Sequence, residues 1–241
     1  MNLVIDIGNT RAKWGFFKES QLIEAHECLA QDLVLAFRPR NGLEEITSAI
    51  ISNSGTKVPE LSVLLARINF VLEFKPGVPI PLTIKYESPA TLGADRLANA
   101  VAASRVYPNQ NCLVIDAGSC ITYDLITDNA EYLGGAISPG LRMRLQAMHQ
   151  FTANLPLVEF NPSVTSIGAD TSSSLQSGAF HGFTQEIHGM IQEYKKILPE
   201  LRVLITGGDS LHFDADSKCA IFADSNLTLA GLNEILVYNE K

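Results

Sequence analysis

Three acidic residues stand out for what lies beside them. Asp6 closes the apolar run Leu3-Val4-Ile5 and, after Ile7, leads into Gly8, Asn9, Thr10, Arg11, Ala12 and Lys13. Asp116 closes Leu113-Val114-Ile115 and leads into Gly118, Ser119 and Cys120. Asp95 lies between Gly93-Ala94 and Arg96. An apolar, β-branched run that stops at Asp-x-Gly reads as a buried strand delivering a carboxylate into a tight turn. The glycine lets the backbone come close to a ligand, with its N–H groups turned toward phosphate oxygens. The carboxylate can hold a metal ion or its waters, and Arg11 and Lys13 add positive charge at the same mouth. A plain hairpin with solvated polar residues carries the same signature, and a single copy leaves both readings open. The second copy favours chemistry. Asp6 and Asp116 lie nearly half the chain apart, so the pattern is an internal repeat, and two such halves can clamp a phosphate tail. Asp95 opens an alanine-rich segment, where a helix start favours a carboxylate. A first-turn acid and a base beside an anion clamp both remain open there.

The elements needed to position these residues follow from periodicity. Ala12, Trp14, Phe16 and Phe17 continue the first turn into a second strand, and Gln21–Cys28 into a third. Ile46–Ser52 is a further apolar strand, ending at the turn Asn53-Ser54-Gly55. Pro59–Arg67 reads as helix, Phe70–Phe74 as strand, and Lys75–Pro81 as a proline-rich connector to a short strand, Leu82–Tyr86. A helix is predicted from about Asp95 to Val106, with Leu97, Val101 and Ala102 on one face. The second half repeats the order, with strands over Cys112–Asp116, Ile121–Thr127 and Glu131–Ile137. The glycines of Gly134–Gly140 then precede a helix carrying Met143, Leu145 and Met148. Phe151–Pro162 reads as extended, and Ser172–Leu198 as a long helix capped by Asp170 or Thr171. Arg202–Thr206 is a strand that delivers Gly207-Gly208-Asp209, either a tight turn or a flat bed for a base or ribose. Leu227–Tyr238 is a final helix. Strands followed by alternating helices and strands point to a mixed α/β protein, divided into an N-terminal domain, 1–110, and a C-terminal domain, 111–241.

Composition narrows the function classes. The 241 residues are 46% hydrophobic and 18% charged, a globular balance with room for a sizeable core. A formal charge of −8 argues against non-specific nucleic-acid binding, although locally gathered cations, here Arg11, Lys13 and Arg96 in polar turns, still suit an anion. No apolar run is long enough for a membrane span, and no leader is expected, which implies a cytoplasmic protein. Cys28, Cys112, Cys120 and Cys219 lack C-x-x-C spacing, and the five histidines form no ligand motif, so neither zinc nor disulfides are indicated. The chain also lacks G-x-x-x-x-G-K-[ST], which argues against a P-loop kinase.

Taken together, Asp6–Lys13, Gly93–Arg96, Asp116–Ser119, Gly134–Gly140, Ile167–Thr171 and Thr206–Gly208 resemble, in order, the motifs of the type III pantothenate kinases. That family lies within the acetate and sugar kinase/actin-like superfamily. The resemblance covers nearly the whole chain, and Gly93-Ala94-Asp95-Arg96 between the two phosphate motifs is what narrows it to the family. It implies two ribonuclease-H-like domains with ATP in the cleft between them, and a homodimer. It further implies transfer of the ATP γ-phosphate to the primary hydroxyl of pantothenate, the first step toward coenzyme A. Position by position, Asp6, Ile7, Gly8, Asn9, Thr10, Arg11, Ala12 and Lys13 would bind ATP, with Asp6 reaching Mg²⁺ through water. Ser119, Gly207 and Gly208 would bind its phosphate and adenosine. Asp95 would be the general base; Tyr86, Gly93, Ala94, Asp95, Arg96 and Thr171 would bind pantothenate; and Asp116 would hold a monovalent cation, K⁺ or NH₄⁺. One position departs from the family pattern: Ser119 stands where threonine is usual, keeping the hydroxyl but losing the methyl that restricts its rotamer. A catalytically silent regulatory relative, a sugar or acetate kinase and an exopolyphosphatase-like hydrolase are the competing readings. An intact Asp95 disfavours the first.

Overall fold

The computed structural model describes residues 1–37, 45–55, 58–212 and 221–240. The chain divides into two compact units. Unit 1 comprises Met1–Pro108, Ala130–Tyr132 and Asn226–Lys241, and unit 2 comprises Asn109–Asn129 and Leu133–Ser225. The final helix, placed in the second domain by a cut at 110, thus packs within unit 1.

Unit 1 is built on a five-stranded sheet of β1 (Asn2–Ile7), β2 (Arg11–Lys18), β3 (Gln21–Leu29), β4 (Ser48–Asn53) and β5 (Phe70–Phe74), in the order β3-β2-β1-β4-β5. The first three strands form an antiparallel meander, while β4 and β5 join it in parallel. Apolar side chains of β1, β2 and β4 pack with a short helix, α1 (Leu33–Ala36), and with α2 (Pro59–Leu65). The sequence carries too little periodicity to announce α1, which is a single turn. The strand expected over Leu82–Tyr86 shrinks to β6 (Thr83–Ile84), paired with Glu131 and Tyr132. Pro79 and Pro81 before it donate no ladder hydrogen bond.

Helix α3 (Ala94–Val106) is buried at every position from Arg96 to Ala103, so it is less one-sided than its Leu97/Val101 pattern predicts. Its neighbour is the last helix, α6 (Leu227–Asn239). A Cβ on Gly231 would sit 1.8 Å from the Ala98 carbonyl oxygen, so the two backbones touch where only glycine and alanine allow it. Polar groups fix α6 on two sides: Thr228 donates to Asn99 Oδ1 of α3 at 2.8 Å, and Asn2 of β1 donates to Asn233 Oδ1 at 3.0 Å.

Unit 2 repeats the plan. Strands β7 (Cys112–Ala117), β8 (Cys120–Ile126), β9 (Glu131–Pro139), β10 (Arg202–Thr206) and β11 (Ile221–Ala223) run in the order β9-β8-β7-β10-β11, the counterpart of β3-β2-β1-β4-β5. Again β7 and β8 are antiparallel, and β10 and β11 join in parallel. Helices α4 (Leu141–Gln150) and α5 (Thr171–Ile197) supply Leu145, Phe183, Ile187 and Ile191 to the core beneath. Arg144 pairs with Glu186, which also accepts from the Tyr123 hydroxyl at 3.1 Å, joining α4, α5 and β8. Asp170 caps α5, accepting from Ser173 N–H at 2.7 Å in a reciprocal box, so Thr171 is the first helical residue and not the cap.

Candidate functional site

Asp6 reaches the site because β1 is buried up to Ile5 and because register places chosen neighbours beside it. Lys13 is its partner on β2 and Ser52 its partner on β4, giving a lysine–carboxylate–hydroxyl row across three strands. Side chains opposite one another in register share a face of the sheet. Burial pushes the Asp6 carboxyl up to about 6 and the nearby Asp95 charge adds to this, while Ser52 and Lys13 pull the other way. Two acids thus converge within electrostatic reach, although they are nearly ninety positions apart in sequence.

The turn after Asp6 is held shut by backbone. Gly8 N–H donates to the Arg11 carbonyl at 2.9 Å. Gly55 packs so closely that a Cβ on it would lie 2.4 Å from the Gly8 oxygen and 3.4 Å from Asn9 Cα. Asn9 and Thr10 are exposed at the tip, while Ile7 and Ala12 are buried beneath it. The reading of Arg11, Lys13 and Arg96 as residues of polar turns is corrected here. Arg11 and Lys13 belong to β2, and Arg96 lies on α3, only 5% exposed. Arg11 also forms an ion pair with Glu27, so much of its charge is offset locally.

Gly93 precedes α3 with its Cβ position 2.5 Å from Asp95 Oδ1, so any side chain there would collide with the carboxylate. The same oxygen accepts the Arg96 N–H at 2.8 Å, which holds Asp95 against the helix start beside Ala94. Tyr86 is half-buried and meets the buried Tyr132 edge-on at 6.2 Å.

Unit 2 presents a matching arrangement. Asp116 is flanked in register by Thr122 on β8 and by the buried Thr206 on β10. Gly207 has φ +94°, and a Cβ on it would lie 2.5 Å from Asp116 Oδ1 and 2.4 Å from the Ala117 oxygen. Only glycine satisfies both conditions. Gly208 has open space where a Cβ would be, so packing does not demand a glycine and a flat ligand finds room. The Gly118-Ser119 turn is covered by Gly140, whose Cβ position is 2.5 Å from the Ser119 oxygen. Thr171 is exposed at the start of α5.

Both acidic sites offer hard oxygen donors. No cluster of three His, Cys, Asp or Glu that could hold a metal occurs among the described residues. Magnesium suits such a place, since it keeps several waters and takes one or two carboxylates together with substrate phosphates. The buried Ser52 hydroxyl sits beside the Asp6 carboxyl and favours its charged form. Asp116, with the Thr122 and Thr206 hydroxyls beside it in register, likewise presents oxygen donors. Cys112 is buried and its thiol is pushed up to about 12, far from reactivity, while Cys219 lies outside the described residues. No helix of the described residues is long and apolar enough to cross a membrane.

Comparison with known proteins decides the family. A sequence model of type III pantothenate kinase matches residues 2–193. A type III pantothenate kinase of Christiangramia forsetii is 42% identical over 241 residues, covering 100% of this chain and 99% of the relative. The chain belongs to the type III pantothenate kinase family. A second relative of that name, from Bacteroides fragilis, is 42% identical over 243 residues, covering 99% of this chain and 98% of its own length. Among solved structures, one described as a Baf family transcriptional activator from Campylobacter jejuni superimposes with a TM-score of 0.65 at 23% identity, covering 99% of this chain and 98% of that one. A ROK family glucokinase from Streptomyces griseus, in complex with glucose and AMPPNP, gives 0.54 at 12% identity, covering 98% and 99%. At these identities the likeness is one of fold, the mixed α/β fold of the actin-like ATPases and sugar kinases, and it lends no weight to a regulatory or sugar-kinase role.

Sequence reading overlooked Ser52 and Gly55. Their signal was present in the repeat: Ile50-Ile51-Ser52 and Leu204-Ile205-Thr206 are both apolar runs closed by a hydroxyl and followed by a glycine turn.

Proposed function

We propose that this type III pantothenate kinase family member transfers the γ-phosphoryl group of ATP to the primary hydroxyl of pantothenate, yielding 4′-phosphopantothenate for coenzyme A synthesis. The observation that carries the reading is the convergence of Asp6, Lys13 and Asp95 in unit 1 beside a glycine-clamped turn. Phosphoryl transfer asks mainly for in-line positioning and neutralised charge. Asp6, Ile7, Gly8, Asn9, Thr10, Arg11, Ala12 and Lys13 form the phosphate turn, with backbone N–H groups and the Lys13 ammonium directed at phosphate oxygens. Asp6 would hold Mg²⁺ through water, and the ion would supply charge neutralisation at the phosphates. Asp95 takes the proton of the attacking hydroxyl. Tyr86, Gly93, Ala94, Arg96 and Thr171 hold pantothenate, with the planar Arg96 fork suited to a carboxylate.

In unit 2, Ser119 receives a phosphate oxygen and Gly207–Gly208 the adenosine. Asp116 would hold K⁺ or NH₄⁺, and that ion would supply further positive charge. The protein acts as a cytoplasmic homodimer, with Thr171 reaching the partner's substrate. Measuring ADP release with pantothenate, glucose, acetate or no acceptor tests the assignment. Turnover with pantothenate alone is expected. Turnover without any acceptor would indicate a hydrolase.

A further inference from the structure

The entry to α4 cannot be held by its own cap. Gly140 occupies the capping position and makes no side-chain cap hydrogen bond. No side chain could stand there, because a Cβ would lie 2.5 Å from the Ser119 oxygen and press on the Gly118 oxygen as well. The Gly140 N–H donates to that same Ser119 carbonyl at 3.2 Å. The backbone at the helix entry is therefore one wall of the Gly118-Ser119 turn, and something other than a cap must fix its position.

Arg144, one turn into α4, reaches back to do so. Its Nε donates to the Pro139 carbonyl at 2.9 Å, immediately before Gly140. Its Nη2 donates to Ser138 Oγ at 3.2 Å and to Glu186 Oε2 of α5. The Ser138 hydroxyl in turn bonds to Glu186, whose other oxygen accepts from the buried Tyr123 hydroxyl at 3.1 Å. The Arg144 and Glu186 side chains are 20% and 27% exposed, and an ion pair open to solvent adds little stability by itself. Joining α4 to α5 would need only a charge. The planar fork does more, because it binds two successive residues of the segment that ends at Gly140, which a lysine cannot do.

We propose that Arg144 is a positioning residue for the second phosphate turn, holding Ser138–Gly140 against Gly118-Ser119 so that the Ser119 hydroxyl is aimed at the nucleotide. This rests on the reading of Ser119 as a phosphate ligand. With serine at 119, no branching methyl restricts the hydroxyl, and the clamped backbone of the turn is what aims it.

Wild type, Arg144→Lys, Ser119→Ala and the double variant are compared by thermal melting and by calorimetric binding of AMP-PNP, which needs no turnover. Ser119→Ala should weaken AMP-PNP about tenfold, as loss of a hydrogen bond to a charged group does. Arg144→Lys should weaken it about fivefold, within the usual coupling inside one hydrogen-bond network. Added to Ser119→Ala, the lysine should cost less than about twofold more, because the hydroxyl it aims is gone. In steady state, Arg144→Lys should raise the KM for ATP and leave that for pantothenate unchanged. Lower melting with unchanged AMP-PNP affinity would show a structural ion pair and overturn the proposal. A full fivefold cost in the double variant would overturn it too, as would equal rises in both KM values. If the lysine variant does not fold, Glu186→Gln, which removes the charge that orients the guanidinium, enters the same cycle with the same expectations. If Ser119→Ala binds AMP-PNP as wild type does, the Ser119 reading falls and the inference with it.

Discussion

Replacing Asp6 by asparagine should stabilise the metal-free protein at neutral pH while disabling nucleotide binding. The reasoning starts from burial: the Asp6 carboxyl titrates near 6 in the fold against an ordinary value of 3.8. A group whose folded value is raised binds its proton more tightly in the native state. Its contribution to stability is therefore complete below about 3.8 and is lost as pH rises through about 6. At pH 7 the ionised carboxylate costs the fold about 3 kcal/mol, and at pH 5 roughly half of that. Asparagine carries no charge at either pH. The wild type in EDTA should thus gain about 1 kcal/mol relative to Asp6→Asn between pH 7 and pH 5. For a chain of this length that is a melting shift of about 2–4 °C. Urea unfolding of both proteins in EDTA at pH 5, 6 and 7 is the assay, with AMP-PNP calorimetry alongside. A difference between the two proteins that does not change with pH would refute the argument, as would lower stability of Asp6→Asn at pH 7.

Asp95→Asn keeps an amide oxygen for the Arg96 N–H bond of 2.8 Å, so melting and AMP-PNP affinity should stay near wild type. Turnover should fall about 10²–10⁴-fold for want of the proton acceptor, as measured by coupled assay; retained turnover would remove Asp95 from the base role. Arg96→Lys keeps the charge without the fork, so the KM for pantothenate should rise more than that for ATP. If only the ATP constant moves, Arg96 belongs to the phosphates. Replacing K⁺ by tetramethylammonium at constant ionic strength should lower turnover strongly through the site at Asp116, and equal rates would contradict that assignment. Gly231→Ala places a methyl 1.8 Å from the Ala98 oxygen and should cost about 1–3 kcal/mol in urea unfolding as α6 shifts from α3.

Much of this was legible because the chain says it twice. Two apolar runs ending in Asp-x-Gly announced β1 and β7, and the meanders that follow were readable from Trp14, Phe16 and Phe17 and from Ile121 to Thr127. The glycine at 93 and the acid at 95 marked the start of α3. What stayed hidden depends on partners distant in sequence. Lys13 looked like a turn residue until register placed it opposite Asp6. Arg96 looked like a residue of a polar turn, yet α3 is buried from Arg96 to Ala103 and packs against α6, which lies more than a hundred residues away in sequence. The same return of α6 to unit 1 escapes any division by halves, because it rests on contacts far apart in sequence, such as Gly231–Ala98 and Asn2–Asn233. Ser52 carries no local signal beyond closing an apolar strand.

The central claim is a phosphoryl transfer to one hydroxyl, and identification of the product tests it most directly. Wild-type protein incubated with ATP, Mg²⁺, K⁺ and pantothenate should yield ADP and one new phosphomonoester, placed by phosphorus–proton NMR correlation on the primary hydroxyl carbon. Free phosphate formed equally with and without pantothenate, or a phosphorylated species in which pantothenate is unchanged, would contradict the account.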